Sequence, residues 1–360
     1  MPLDPVFADR LRVHRKYLFG QAVSRLKKRL SAIWPFDSTA SGPAPRKRTA
    51  SPSSPRARAR AKHRRAALAW DRTELETVGT PGPDIRTREH TVEVAGRPAV
   101  RVRVYDPRES GAGAAAAPLP AVLAFFGGAF RIGGIDYPTT DAGFRRRAAD
   151  ADVVIVAVDY ALAPEHRYPV AVEQGAAALR WLFAHAAELD VDVDRIGILG
   201  TSAGANLAAA VTLLNRDGED PLPVRLQVLE VPVLDLTGRH LDLRATRALG
   251  VPTVIALREL RSVARTYLSH RRMAREPLAS PLRAASHAGL PPAVILTAEF
   301  DPLRGDGAAY AAALRAAGVD ASAVQYLGVT HDTPIFTGVL PAARRWHGDV
   351  VAALRRLHGV

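Results

Sequence analysis

The 360-residue chain contains no cysteine. Disulfides, thiolate nucleophiles and cysteine-ligated metal are therefore excluded, and nothing in the chain calls for an oxidising compartment. A run of about 18 uncharged apolar residues, the length a membrane-crossing helix needs, is also missing. The first thirty residues scatter charges among apolar positions, so no secretory signal is expected. The expected location is cytoplasmic, with peripheral contact to a membrane left open. Acidic residues are scarce at one end only. Residues 1–70 hold 17 Lys/Arg against 3 Asp/Glu, a net of +14, while the remaining 32 Lys/Arg and 33 Asp/Glu leave −1. The overall charge of +13 thus belongs to an extension, and the body is close to neutral.

What is present divides into three parts. In residues 1–35, Leu11, Leu18, Ala22, Leu26, Leu30 and Ile33 recur at helical spacing between basic residues, predicting a basic amphipathic helix over 8–34. Residues 36–66, rich in Pro, Ser, Ala and Arg, have too little apolar content to fold alone and read as a flexible linker. Residues 67–360 are expected to form the main domain, in which apolar strand-like runs alternate with helical segments. Strands are predicted at 89–94, 100–105, 121–126, 153–158, 195–199, 226–231, 293–297 and 323–326, the first two pairing as an antiparallel hairpin. Helices are predicted at 141–149, 170–188, 202–215, 305–317 and 341–358. Continuous apolar strands alternating with helices specify an α/β fold, a mostly parallel sheet covered on both faces. Residues from about 236 to 285 supply helical, Arg-rich sequence and no strand, as a cap insertion would.

Gly200-Thr201-Ser202-Ala203-Gly204 fits G-x-S-x-G between a strand and an Ala-rich helix. Small neighbours there permit a strained turn that exposes the Ser202 Oγ, and the helix N-terminus favours developing negative charge. A helix-capping serine is the plainer alternative. Phe126-Gly127-Gly128-Ala129 follows an earlier strand, and its unhindered N–H groups at Gly127, Gly128 and Ala129, with that of Ala203, make a candidate oxyanion hole. Asp301 and His331 each follow their own strand, in the order Ser, Asp, His. Asp301 before Pro302 also fits a simple Asx turn, and Glu299 is the rival acid. Asp136 and Tyr137 are candidates for substrate contact.

With these residues in hand, residues 84–360 resemble the bacterial hormone-sensitive-lipase-like esterases of the α/β-hydrolase fold. The likeness rests on Asp159-Tyr160-Ala161-Leu162-Ala163-Pro164-Glu165, on Gly200 to Ala208 and on Asp301 to Arg304. It implies a Ser202–Asp301–His331 triad and hydrolysis of small acyl esters of short to medium chain. It also implies a cap built from the N-terminal segment plus residues near 236–285, and chemistry with no cofactor or metal. Three departures stand out: Phe126 replaces the His of H-G-G-G, Thr201 stands where many members carry Asp, and Gly305-Asp306-Gly307 loosens the usual D-E-G. The same triad serves a deacetylase or amidase. A non-catalytic hydrolase fold, whose residues 1–66 bind an anionic membrane or, less expectedly, nucleic acid, is the reading from another class. Co-sedimentation of residues 1–66 with anionic vesicles separates the membrane reading from the others.

Overall fold

The computed structural model describes residues 1–12, 55–108 and 117–359. It divides into two units, Met1–Arg65 and Ala66–Val360. In the first, residues 5–12 are helical; the rest of the helix predicted over 8–34, and the linker over 36–54, lie outside the described residues. The end of the predicted linker is not coil, because helix α1 covers Pro55–Thr77. The reason is local: Arg, Lys and Ala have high helix propensity, Pro55 suits a first turn, and no glycine or β-branched residue intervenes before Thr73. A poor apolar face argues against packing, not against helix.

Among its described residues the second unit carries eight strands: β1 (Arg86–Val92), β2 (Val100–Asp106), β3 (Leu119–Phe125), β4 (Val154–Asp159), β5 (Val191–Thr201), β6 (Val224–Glu230), β7 (Ala293–Ala298) and β8 (Ala321–Tyr326). They form one sheet in the order β1-β2-β4-β3-β5-β6-β7-β8. β1 and β2 make an antiparallel hairpin with Val92 opposite Val100, and β2 runs antiparallel to β4. From β4 onwards every pairing is parallel. The short 93–99 connection can only reverse the chain, whereas parallel neighbours need a crossover element. These crossovers include α2 (Pro138–Ala151), α3 (Val170–Ala184), α4 (Ala203–Arg216) and α7 (Arg304–Ala316), and α8 (Pro341–Arg355) follows β8.

Burial explains the sequence pattern. Every residue of β7 and all but the first of β3 are buried, so these strands read as unbroken apolar runs. Helix α4 is buried from Ala203 through Leu213, which is why it is alanine-rich rather than amphipathic. β8, at the sheet edge, exposes Ser322 through Gln325. Residues 236–285 contain α5 (Leu243–Ala248), α6 (Thr253–Tyr267) and two short 3-10 turns, with no strand. No helix among the described residues is long and apolar enough to cross a membrane. The C-terminal ends of β3, β5, β7 and β8 share one edge of the sheet, where parallel sheets place their chemistry.

Candidate active site

At that edge β5 turns directly into α4 through Ser202, whose φ of 56° and ψ of −113° belong to neither element. Such a conformation costs on the order of 1–3 kcal/mol and persists only where the surroundings impose it. The flanking glycines show how close those surroundings are. A Cβ on Gly200 would stand 2.3 Å from the Gly204 carbonyl oxygen, and one on Gly204 would stand 2.3 Å from that of Phe125. Strand, turn and helix thus meet backbone to backbone, and the Ser202 N–H donates to the Glu230 carbonyl at 2.8 Å.

The loops after β7 and β8 bring Asp301 and His331 to the same place. Ser202 Oγ lies 2.9 Å from His331 Nε2, and His331 Nδ1 lies 2.7 Å from Asp301 Oδ2. Asp301 is buried. Its other oxygen accepts the Leu303 N–H at 2.9 Å, so the Asx turn expected at Pro302 and the contact to His331 coexist on different atoms. Burial pulls the His331 imidazole towards neutrality. The Asp301 carboxylate, by charge and by hydrogen bond, outweighs it and lifts the imidazole to about 9. Glu299, the rival acid, instead accepts the Gly328 N–H at 2.6 Å and ties down the loop that leads to His331.

Gly127 lies against the elbow: a Cβ there would face the Thr201 carbonyl at 3.2 Å and Ser202 Cβ at 3.5 Å. Gly128 has φ +139°, and a Cβ on it would fall 2.0 Å from the Ile132 oxygen. Its carbonyl accepts the Arg131 and Ile132 N–H groups, closing a tight turn. Ala129 and Phe130 continue in left-handed conformation, at φ 53° and 60°. The Ala203 N–H belongs to the first turn of α4, where amides have no partner within the helix. Of the four groups expected to bind an oxyanion, Ala203 follows Ser202 directly and Gly127 lies against it, with Gly128 and Ala129 next in the same turn. Gly128→Ala is expected to push the turn away from Ser202 and lower kcat about 10²-fold, the scale of one lost oxyanion donor, with KM little changed; steady-state kinetics on p-nitrophenyl butyrate checks it.

A family model described as the alpha/beta hydrolase fold matches residues 122–335. The chain is 38% identical over 292 residues to the carboxylesterase NlhH of Mycobacterium tuberculosis, covering 79% of this chain and 88% of that one. This chain belongs to the hormone-sensitive-lipase-like α/β hydrolases. A second relative, an ethyl acetate hydrolase of Pseudomonas putida, is 31% identical over 255 residues, spanning 71% and 78% of the two chains. Among solved structures, the thermostable carboxylesterase EstE1, cloned from a metagenomic library, superposes with a TM-score of 0.73 at 37% identity, over 83% of this chain and 97% of that one. The chain is accordingly a serine hydrolase of the carboxylic-ester class.

Against that family pattern, the departures find physical accounts. Phe126, in place of histidine, stacks on Tyr160 with centroids 4.2 Å apart and planes 11° apart, and the Tyr160 hydroxyl donates to the Phe126 carbonyl at 2.9 Å. The loop that starts at Phe126 is thus braced by a ring stack rather than by an imidazole. Gly133 makes room for that ring, since a Cβ there would be 2.8 Å from it. Gly305 and Gly307 are not loosening elements. A Cβ on Gly305 would sit 1.9 Å from the His240 oxygen in the 236–285 segment, and one on Gly307 would sit 2.6 Å from Thr297. Between them Asp306 accepts the Leu234 and Asp235 N–H groups, and burial pushes its carboxyl up to about 7 against those bonds.

Asp136 and Tyr137 are not brought to Ser202 by any hydrogen bond in the structure's described network. The Asp136 carboxylate pairs with Arg101 and Arg103 of β2 and is half-exposed, and Tyr137 precedes the first turn of α2. Sequence reasoning passed over Glu230, which lies fully buried behind the elbow. A glutamate closing an apolar strand looks like an exit to solvent, so only its neighbour Thr201 gave a signal.

Proposed function

We propose that this hydrolase cleaves small carboxylic esters of short to medium acyl chain through an acyl-enzyme on Ser202. The observation that carries this reading is the continuous hydrogen-bonded chain from Ser202 Oγ through His331 to Asp301. In the first step His331 Nε2 takes the Ser202 proton as Oγ bonds to the acyl carbon. The carbonyl oxygen becomes an oxyanion facing the N–H groups of Gly127, Gly128, Ala129 and Ala203, and His331 returns the proton to the departing alcohol. Water then attacks the acyl-enzyme with His331 as base, releasing the acid and restoring Ser202. Asp301 holds the imidazole in the tautomer that presents a bare Nε2 and stabilises its cation. The relative named as an ethyl acetate hydrolase supports a short acyl group. The test is a panel of p-nitrophenyl esters from acetate to decanoate with an anilide included, beside fluorophosphonate labelling of Ser202. A preference for the anilide would favour the amidase or deacetylase reading, and an unlabelled Ser202 would sink the mechanism.

The pH profile follows from His331. Its neutral form is the base, and its pKa is raised to about 9. The ratio kcat/KM is therefore expected to climb with pH through neutrality and level off above about 9, after subtraction of spontaneous hydrolysis. A flat profile between pH 6 and 9 contradicts this. Stability runs the opposite way: the ion pair with Asp301 contributes fully below the ordinary histidine value of 6.5 and is lost as pH rises towards 9.

A further inference from the structure

We infer that Glu230 is a positioning residue for Ser202, acting through the hydroxyl of Thr201. The inference rests on Ser202 being the nucleophile. Glu230 ends β6 beside the elbow and is fully buried. Its Oε1 accepts the Thr201 hydroxyl at 2.9 Å and pairs with Arg147 at 2.8 Å. Its Oε2 accepts the Trp346 indole N–H at 2.7 Å and a second contact from Arg147 at 3.0 Å. Arg147 comes from α2 and Trp346 from α8, both buried. The carboxylate is thus clamped by two helices, and its remaining partner is the elbow.

What distinguishes this cluster from an ordinary buried ion pair is where its bonds end. The Glu230 backbone oxygen takes the Ser202 N–H at 2.8 Å while its side chain takes the Thr201 hydroxyl. One residue therefore grips both sides of the peptide that carries Ser202 into its left-handed conformation. Neither strand nor helix geometry would hold that peptide, so its strain must be opposed by groups that do not move. The carboxylate fills this role without touching any reacting atom: it fixes the rotation of the Thr201–Ser202 unit, and with it the direction in which Oγ leaves the backbone towards His331 Nε2. Burying a charge is costly unless every lone pair is used, and here three donor residues use them. In the family pattern a carboxylate at position 201 itself is common; here Thr201 delivers the strand-end carboxylate to the same turn from the neighbouring strand.

The deciding comparison is Thr201→Val, which removes the hydroxyl at nearly constant volume, against Thr201→Ser, which keeps it. Active sites are counted by the p-nitrophenol burst on inhibition with a p-nitrophenyl phosphonate, and turnover of p-nitrophenyl butyrate is expressed per titrated site. The expected result is a kcat about 10-fold lower for Thr201→Val with KM within about 2-fold, phosphonylation slowed in proportion, and Thr201→Ser within about 3-fold of the parent. Glu230→Gln is expected to follow Thr201→Val while also lowering Tm, because the amide keeps its oxygen for the Trp346 N–H and turns its nitrogen to Thr201 and Arg147, reversing the Thr201 bond and leaving the Arg147 charge unpaired. Should that variant fail to fold, the Thr201 pair still decides. A Thr201→Val enzyme with parental kcat per site and only a lower Tm would overturn the inference and leave the nucleophile reading intact. A parent enzyme that gives no burst would overturn both.

Discussion

Ser202→Ala is expected to lower kcat on p-nitrophenyl butyrate about 10⁶-fold, the scale seen when the nucleophile of a coupled triad is removed. The substitution deletes the atom 2.9 Å from His331 Nε2 and nothing else. Alanine has no greater difficulty than serine at φ 56°, and the backbone bonds to Glu230 and Asn206 do not use the side chain. The fold should therefore survive with Tm nearly unchanged, so the loss is chemical. A residual rate about 10³–10⁴-fold above the uncatalysed reaction is expected, since the donors of Gly127, Gly128, Ala129 and Ala203 remain. Adding His331→Ala should cost little more, because the two groups act as a unit. Turnover retained above about 1% would move the nucleophile elsewhere.

Asp301→Asn is expected to cost about 10⁴-fold in kcat/KM, and the structure gives the reason atom by atom. One carboxylate oxygen of Asp301 accepts the Leu303 N–H and the other faces His331 Nδ1. An asparagine there must turn its carbonyl to the Leu303 N–H, which leaves its NH₂ pointing at Nδ1. Nδ1 becomes an acceptor, the ring proton moves to Nε2, and Ser202 meets a donor where it needs a base. The charge that lifts His331 to about 9 disappears as well, so the rising limb of the residual activity should move to lower pH. Glu299→Gln serves as the contrast: it keeps a group that can accept from Gly328, and a loss smaller than 10-fold is expected. The reverse ranking would make Glu299 the acid. Steady-state kinetics on both variants across pH 6–10 decides.

Much of this was legible before any coordinates. The eight strands and the strandless insertion followed from apolar runs, because a sheet covered on both faces leaves a continuous trace in β3 and β7. Boundaries slipped where the trace fades. β5 begins at Val191, four residues ahead of the apolar run, since Val193 and Asp194 are exposed along a strand that has yet to enter the core. The end of the expected linker is helix α1 because propensity needs no apolar face. Ser202, Asp301 and His331 were legible because each follows a strand within a motif, and the structure joins them by two hydrogen bonds. What holds them was not. Tyr160 bracing Phe126, Asp306 holding Leu234 and Asp235, and Glu230 behind the elbow all act across tens of residues. A one-dimensional pattern carries no sign of such pairings.

The 127–131 loop also has a second neighbour. Phe130 stacks face to face on Tyr267 at 3.8 Å, and Arg131 pairs with Glu259 at 2.5 Å, both partners lying on α6 of the 236–285 segment. The turn proposed to meet the developing charge and helix α6 therefore share one set of contacts, and neither can be displaced without disturbing the other. Selectivity and speed are for that reason not separate dials in this enzyme. Diversifying α6 is therefore expected to change the rate constant as well as the affinity, and variant libraries built on that helix are best ranked by turnover at saturation rather than by binding alone.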